Sequence, residues 1–274
     1  MRDILDTLER WIAEGHDAAI ATVVGTERSA PREPGSSMAV SDAGEIAGSV
    51  TGGCVEPAVY EHAQEVLDGA PPRLATFGIA DEEAFEVGLP CGGTVHIFIS
   101  RLDPAVVRAV ADAVRDERPV ATLTTVEGPS LGAQRVVTPD ERMEEAEREL
   151  VARGRAGIVA EGAERVFVSP FMPRPAMYVF GAIDHSSALA RIGRFLGYRV
   201  TVCDARGAFV TPERFPDVDE LVVAWPHEFL ATAPIGLQIG SRTPEQVAIA
   251  IAAEVIASMQ ASTTKGGHEA RERV

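Results

Sequence analysis

The pattern between Ala176 and Asp204 restricts the fold of this chain more than any other part of its sequence. The run "AMYVFG" has the continuous apolar character of a buried strand, and the helical pattern "SALARIGRFLG" follows it. A second strand pattern, "YRVTVCDA", and a third, "ELVVAW", come after the helix. Strand, helix and strand at this spacing make a βαβ unit with parallel strands. The C-terminal part is therefore predicted to be a Rossmann-type α/β domain.

The residues before this unit predict a mixed α/β domain of a different kind. A first helix is predicted to end at Gly15, and others begin near Pro57 and Pro104, with strand patterns between them. Residues 42–44 are predicted to form the turn of a hairpin. The charged segment Asp140 to Arg155 contains a further helix, which we interpret as a solvated face.

The segment Met172 to Pro175 is predicted to join the two domains, because two prolines in four residues favour an extended chain. One domain then covers residues 1–173, and the other covers residues 174–274. The second domain is predicted to end in a long apolar helix, which begins at the capping box Thr243 to Gln246 and provides a tail or a dimer contact.

Composition excludes several classes of protein. A formal net charge of −16 argues against nucleic-acid binding, because binding to phosphates needs clustered lysine and arginine. No apolar run is long enough to cross a membrane, and the N-terminal residues do not read as a signal peptide. The three cysteines form neither a disulfide framework nor a C-x-x-C pair. We therefore expect a cytoplasmic protein that does not bind membranes.

The stretch "AGSVTGGCVEP" is the first candidate for chemistry. Gly52 and Gly53 allow a tight turn and a close approach of a ligand to the backbone. Cys54 follows at the start of a predicted helix, where the positive end of the helix dipole favours the thiolate. Glu56 is placed to act on a ligand or to cap the N–H groups of the helix. The alternative is that Cys54 is a small apolar residue in a turn.

A second, similar turn, "GLPCGGTVHIFIS", contains Cys91, Gly92 and Gly93. Two of the three cysteines thus lie in glycine-rich turns next to regular elements, which favours a functional role for both. A metal site built from the two thiols alone would lack ligands, because no pair of histidines lies near them in the sequence.

The turn after the first strand of the βαβ unit is the place where a dinucleotide-binding fold holds phosphate. Asp204 stands at the end of the next strand, where such folds bind a ribose hydroxyl. The turn itself reads Gly181-x-Ile183-x-x-Ser186 and not G-x-G-x-x-G, so Ile183 replaces the glycine that admits a pyrophosphate. Binding of NAD(P) is therefore not expected, and Cys203 in the second strand is assigned to the core.

Several of these segments together resemble one family. Two segments are similar to the N-terminal domain of the XdhC/CoxI family of molybdenum-cofactor accessory proteins: "PREPGSSMAV…GEIAGSVTGGCVEPAVYEHAQEVL" and "GLPCGGTVHIFI". Two later segments resemble the Rossmann-type domain of that family: "VFGAIDHSSALARIGRFLGYRVTVCDARGAFVTPERFP" and "APIGLQIGSRTPEQVAIAIAAEVIA". Nearly the whole chain is covered by the resemblance.

The resemblance implies a cofactor chaperone and not an enzyme that turns over a metabolite. Family members bind the molybdopterin form of the cofactor and support its sulfuration with a cysteine desulfurase. They deliver it to a molybdenum hydroxylase of the xanthine dehydrogenase type, and they can form homodimers. The resemblance implies that Cys54 contacts the molybdenum and that Glu56 contacts a pterin N–H group. Cys91 would line the cofactor pocket, and N–H groups of the glycine turns would bind the phosphate.

The chain departs from the family pattern in one long segment. Family members usually carry several more strands and helices where this chain has only the residues from about His227 to Ala233. Either this member is naturally shortened, or a segment is missing from the numbered chain. In the first case, half of the Rossmann sheet is absent.

Two other functions are left open by the residues. A nicotinamide-dependent oxidoreductase would use the Gly181 turn and Asp204, and Ile183 speaks against it. A structural adaptor for a hydroxylase would need no chemistry from Cys54.

Overall fold

The structure is a computed structural model. It describes residues 1–78, residues 93–225 and, near the C-terminus, residues 243, 248, 249, 251–253 and 255. The chain divides into two compact units, Met1–Pro173 and Arg174–Val274. The helices and strands of the first unit are α1 (Leu5–Glu14), β1 (Ala18–Glu27), β2 (Ser37–Ser41), β3 (Ile46–Gly48), α2 (Glu56–Leu67), β4 (Arg73–Phe77), β5 (Thr94–Arg101), α3 (Pro104–Arg115), β6 (Val120–Glu127), β7 (Gln134–Val137), α4 (Glu145–Ala152), β8 (Gly157–Glu161) and β9 (Glu164–Phe171).

The first sheet of this unit has five antiparallel strands in the order β3-β2-β1-β5-β4. Residues alternate between its two faces, as the pleat of a strand requires. Ala19, Ala21 and Val23 of β1 belong to one buried cluster with Val59 and Val66 of α2. The helix α2 therefore covers one face of the first sheet.

The second sheet has four antiparallel strands in the order β7-β6-β9-β8. Its residues Leu123, Val166 and Val168 are buried in one cluster with Val151 of α4, so α4 covers its outer face. Between the two sheets, Val24 and Phe98 of the first are buried with Val126 and Phe167 of the second. The helix α2, the two sheets and the helix α4 thus form successive layers, and α1 and α3 are buried together in another cluster with residues of both sheets.

The second unit contains β10 (Ala176–Phe180), α5 (Asp184–Phe195), β11 (Arg199–Cys203) and β12 (Glu220–Val222). The three strands are parallel and lie in the order β10-β11-β12. Met177, Val179, Val200 and Val202 of the sheet are buried with Leu189 of α5. This is the βαβ arrangement predicted from the sequence, and the α/β fold class is confirmed.

Most of the elements predicted from the sequence are present. The hairpin around residues 42–44 joins β2 to β3, and Pro57 and Pro104 lie in the first turns of α2 and α3. The strand predicted over "ELVVAW" is shorter, because only Glu220–Val222 pairs with β11. Only Thr243 of the predicted capping box lies among the described residues, and the segment from His227 to Ala233 lies outside them. Within the described residues, no helix has the length and apolar character that crossing a membrane requires.

The interpretation of the charged segment Asp140 to Arg155 as a solvated face was wrong for one charged residue. Glu147 on α4 is completely buried. Its two carboxylate oxygens accept hydrogen bonds from Nη2 of Arg135, each 3.0 Å long, and one of them accepts another from the backbone N–H of Glu144 at 2.9 Å. Glu147 thus closes a capping box at the start of α4 and ties the helix to β7.

Replacement of this glutamate should destabilise the fold. Glu147→Ala removes a cap and leaves Arg135 without its partner, so we expect the free energy of unfolding to fall by about 2–3 kcal/mol. Urea unfolding measures this change. Glu145→Ala is the matched control, because Glu145 lies on the same helix with a side chain that is 88% exposed. Equal losses for the two variants would contradict the structural role of Glu147.

Candidate functional site

The stretch that contains Cys54 forms a loop between β3 and α2, which we name the GGC loop and define as residues 49–55. Gly52 and Gly53 both have positive φ angles, of 86° and 122°. Side chains other than glycine rarely adopt these angles, so the sequence requires glycine at both positions. No atom lies within 4 Å of the position that a Cβ would take on either glycine, so their outer side is open.

A single carboxylate holds the GGC loop in shape. Oε1 of Glu56 accepts hydrogen bonds from the hydroxyl of Ser49 at 2.6 Å and from the backbone N–H groups of Val50, Thr51 and Gly52 at 3.2, 2.9 and 2.9 Å. Oε2 accepts from the hydroxyl of Thr51 at 2.7 Å and from the N–H groups of Gly53 and Val55 at 2.8 and 3.2 Å. Seven donors therefore converge on one side chain.

These contacts change the protonation of Glu56. Burial raises the pKa of its carboxyl group, but the hydrogen bonds from Ser49 and from the backbone and hydroxyl of Thr51 outweigh burial and lower the pKa to about 2. Glu56 is therefore ionised at every physiological pH. The negative charge is also at the N-terminus of α2, where the helix dipole favours it.

Cys54 is held by the same loop. Its backbone N–H donates to the hydroxyl of Thr51 at 3.2 Å, and the next residue, Val55, is fully buried. The side chain of Cys54 is half-buried and packs against the cluster that α2 forms with the first sheet. The loop thus holds a partly exposed cysteine on a backbone whose hydrogen bonds fix its course.

The sequence left two roles open for Glu56, the capping of N–H groups and contact with a ligand, and the structure shows the first. Its carboxylate caps the loop and the helix, and the interpretation that it touches a ligand stays a prediction. The expectation that N–H groups of this turn donate to a ligand phosphate does not match the structure. The N–H groups of Val50, Thr51, Gly52 and Gly53 already donate to Glu56.

The second glycine-rich turn is described only at its end, because Cys91 and Gly92 lie outside the described residues. Gly93 is described, and a Cβ on it would be 2.1 Å from the backbone oxygen of Ser29. The backbone before β5 therefore passes so close to the backbone after β1 that only glycine fits.

The Rossmann-type turn of the second unit is also bound by a carboxylate of the chain. Asp204 is 6% exposed, and its Oδ2 accepts a hydrogen bond from the N–H of Ala182 at 2.8 Å. Its Oδ1 accepts from the N–H of Arg206 at 2.8 Å, and the guanidinium of Arg206 donates to both oxygens at 3.0 and 2.8 Å. The Arg206 side chain and the backbone N–H of Ala182 hold the pKa of Asp204 well below its usual range.

Neighbouring side chains occupy the same turn. Nη1 of Arg214 donates to the backbone oxygens of Ala182 and Phe209, at 3.3 and 3.2 Å. The guanidinium groups of Arg206 and Arg214 lie 4.6 and 5.2 Å from the centre of the Phe209 ring, a cation–π arrangement. Gly181 has a φ of 98°, and its N–H donates to the backbone oxygen of Cys203 at 2.8 Å. The N–H groups of Gly181 and Ala182 and the backbone oxygen of Ala182 are therefore used within the chain.

Sequence reasoning missed the residues that organise both sites. Ser49 and Thr51 bind Glu56, and Arg206 and Arg214 bind the Rossmann-type turn. The spacing of Thr51 and Glu56 around a glycine pair could have suggested a side-chain contact, but the arginines carried no signal. In the described part of the chain, no three His, Cys, Asp or Glu side chains are grouped to hold a metal ion. Cys203 is buried in β11, as predicted.

Each of the two units contains a segment that matches a known sequence family. Residues 11–78 match a sequence model of the XdhC and CoxI family, and residues 177–232 match a model of the XdhC Rossmann domain. The first match contains the GGC loop with Glu56, and the second contains Gly181 and Asp204.

Two curated proteins align with most of the chain. A probable xanthine dehydrogenase subunit of Bacillus subtilis (strain 168) is 22% identical over 316 residues, which cover 91% of this chain and 95% of that protein. The molybdenum cofactor insertion chaperone PaoD of Escherichia coli (strain K12) is 25% identical over 235 residues, covering 85% of this chain and 67% of that protein. The first alignment is longer than this chain, so the Bacillus protein contains residues without a counterpart here.

A solved structure shares the fold. The crystal structure described as a xanthine dehydrogenase from Bacillus halodurans has a TM-score of 0.69, and the match covers 94% of this chain and 96% of that one. The two sequences are 19% identical, so the similarity concerns the fold alone.

Protonation or removal of the Glu56 charge should weaken the GGC loop. Because the pKa of Glu56 is about 2 in the folded chain and 4.5 is its ordinary value, its stabilising effect is present above pH 4.5 and is lost as the pH falls towards 2. We expect Glu56→Gln to lower the free energy of unfolding at pH 7 by about 1–2 kcal/mol, after allowance for solvent screening of a partly exposed group. Urea unfolding at several pH values tests this.

Glu61→Gln is the matched control, because Glu61 is an exposed glutamate on the same helix. The difference between wild type and Glu56→Gln should shrink below pH 4.5, whereas Glu61→Gln should follow the wild type throughout. A pH-independent difference for Glu56→Gln would show that its charge does not hold the loop.

Proposed function

The chain belongs to the XdhC/CoxI family, and we propose that it binds a molybdopterin-type molybdenum cofactor and takes part in its maturation for a molybdenum hydroxylase. The observation that carries the proposal is the GGC loop. It lies in the segment that matches the family, and it holds a half-buried cysteine in a loop that donates seven hydrogen bonds to Glu56. The similarity to PaoD, which is named a molybdenum cofactor insertion chaperone, supports this function.

The open side of the loop suits a large ligand. Nothing stands within 4 Å of a Cβ on Gly52 or Gly53, so a flat ring could approach the backbone there. The sulfur of Cys54 is a soft ligand and suits the metal end of such a cofactor. A bound cofactor would supply the molybdenum centre that a hydroxylase needs for its reaction.

We assign the residues of the first unit to two functions. Gly52, Gly53 and Cys54 provide the contact surface, and Cys91, Gly92 and Gly93 of the second turn are proposed to bind the same cofactor. Glu56 contributes by holding the loop, because both of its oxygens already accept hydrogen bonds from within the chain. A direct contact of Glu56 with a pterin N–H group stays a prediction.

Two further steps belong to the proposal. A cysteine desulfurase would supply sulfur to the bound cofactor, and the chain would then deliver the cofactor to a hydroxylase of the xanthine dehydrogenase type. In this function the chain works as a chaperone and not as an enzyme, and it can act as a homodimer.

The oxidoreductase alternative is less well supported by the second unit. A dinucleotide fold needs free N–H groups at its phosphate-binding turn and a free carboxylate for the ribose. Here the N–H of Ala182 and the carboxylate of Asp204 bind each other, and Arg206 binds the same carboxylate. Equilibrium dialysis against NAD(H) should therefore show no tight binding, and strong binding would favour the alternative.

Protection of Cys54 from alkylation tests the proposed site. Purified protein is treated anaerobically with iodoacetamide, with and without isolated molybdenum cofactor, and each cysteine is quantified by peptide mass spectrometry. We expect Cys54 of the cofactor-free protein to react faster than Cys203, because Cys203 is 1% exposed. Bound cofactor should slow the reaction of Cys54 by at least about tenfold and leave that of Cys203 unchanged.

Two variants separate a functional thiol from a structural one. Cys54→Ser keeps the size of the side chain but loses the soft sulfur, so it should unfold like the wild type and retain less cofactor. Cys203→Ser should retain cofactor as the wild type does. Equal alkylation rates of Cys54 with and without cofactor would place the thiol outside the binding site.

A further inference from the structure

The contact between the two sheets of the first unit contains an unusual polar region. Facing sheets normally bury apolar side chains against each other. Here the apolar part, with Val24, Phe98, Val126 and Phe167, is followed by a group of hydroxyl side chains. This group, which we name the hydroxyl cluster, consists of Thr22, Ser37, Ser100, Thr122, Thr124 and Ser169.

The register of the strands brings the residues of the hydroxyl cluster together. Thr22 lies directly opposite Ser37 in the first sheet, and Thr122 lies directly opposite Ser169 in the second. Hydroxyls that occupy paired positions on two facing sheets point into the same space. Burial is deep, since Ser37, Ser100, Thr122 and Thr124 are all at most 8% exposed.

The hydroxyl cluster lines one part of a cavity, whose other walls are formed by Met1, Asp103, Gln134 and apolar side chains. Its volume is about 50 Å³, measured as the space open to the centres of water molecules. One water molecule needs about 10–15 Å³ of such space, so the cavity has room for roughly three to five. A pterin does not fit in this space, and the cavity is therefore distinct from the surface site proposed for the cofactor.

The lining chemistry selects the occupant. A hydroxyl group can donate one hydrogen bond and accept two. Thr22 and Ser37 use part of this capacity on each other at 3.0 Å, and Ser37 also donates to the backbone oxygen of Gly35 at 3.3 Å. Six neutral hydroxyls leave several positions for small molecules that both donate and accept. An apolar molecule would leave these hydroxyls without partners.

We propose that this cavity is a binding site for an ordered cluster of about three water molecules, which bridges the hydroxyls of the two sheets. Buried water of this kind makes about three hydrogen bonds per molecule and is costly to remove. The first and second sheets are then joined by apolar packing in one region and by bound water in the other.

A crystal structure of the full chain at about 1.5 Å resolution tests the proposal. We expect separate water densities within hydrogen-bonding distance of Thr122 and Ser169. A collapsed cavity, a cavity without ordered density, or continuous density from another bound molecule would each overturn it.

Two matched variants give a second measurement in solution. Thr122→Val removes a hydroxyl from the cavity, and Thr125→Val makes the same change on β6 at a residue that is equally buried but does not line the cavity. We expect Thr122→Val to lose at least one water density and to lower Tm by roughly 2–4 °C more than Thr125→Val. Equal or higher stability of Thr122→Val, with unchanged density, would contradict a hydroxyl-bound water cluster.

Discussion

The convergence of seven hydrogen bonds on the Glu56 carboxylate is the interaction on which the candidate site depends. Without it, two consecutive glycines in left-handed conformations would have little to define their course, because glycine restricts the backbone less than any other residue. With it, the donors from residues 49–55 are satisfied within the loop, and Cys54 has a defined position at the start of α2. The charge that holds the loop is also complementary to the helix dipole.

The second unit uses the same principle. Asp204 takes the N–H of Ala182, and Arg206 neutralises the carboxylate, so this turn is also closed by a side chain of the chain itself. In both turns an internal carboxylate lies where an anionic ligand would be expected from the glycine pattern alone. Recognition of a cofactor at the GGC loop would then depend on side chains and on the open surface over the glycines. Backbone N–H groups would contribute little.

Much of the fold could be predicted from the sequence, because its signals are local. Apolar runs and proline positions gave β10, α5, β11 and the starts of α2 and α3. The burial of Glu147 could not be predicted, since it depends on Arg135, which lies twelve residues earlier on another element. The candidate site was predicted as a set of residues but not as an arrangement. Glycine and cysteine mark the loop, whereas the contacts of Glu56 with Ser49 and Thr51 arise only when the loop folds back on its own helix.

The central claim is that a loop shaped by Glu56 presents Cys54 to a molybdenum cofactor. The stoichiometry of anaerobic cofactor binding tests it most directly, measured by equilibrium dialysis with molybdenum analysis on wild type, Glu56→Gln and Glu61→Gln. The account predicts about one cofactor per chain for the wild type and Glu61→Gln. For Glu56→Gln, protein that is still folded should bind at least about tenfold more weakly. Undiminished binding by folded Glu56→Gln would contradict the role of the loop, and no binding by the wild type would contradict the proposed function.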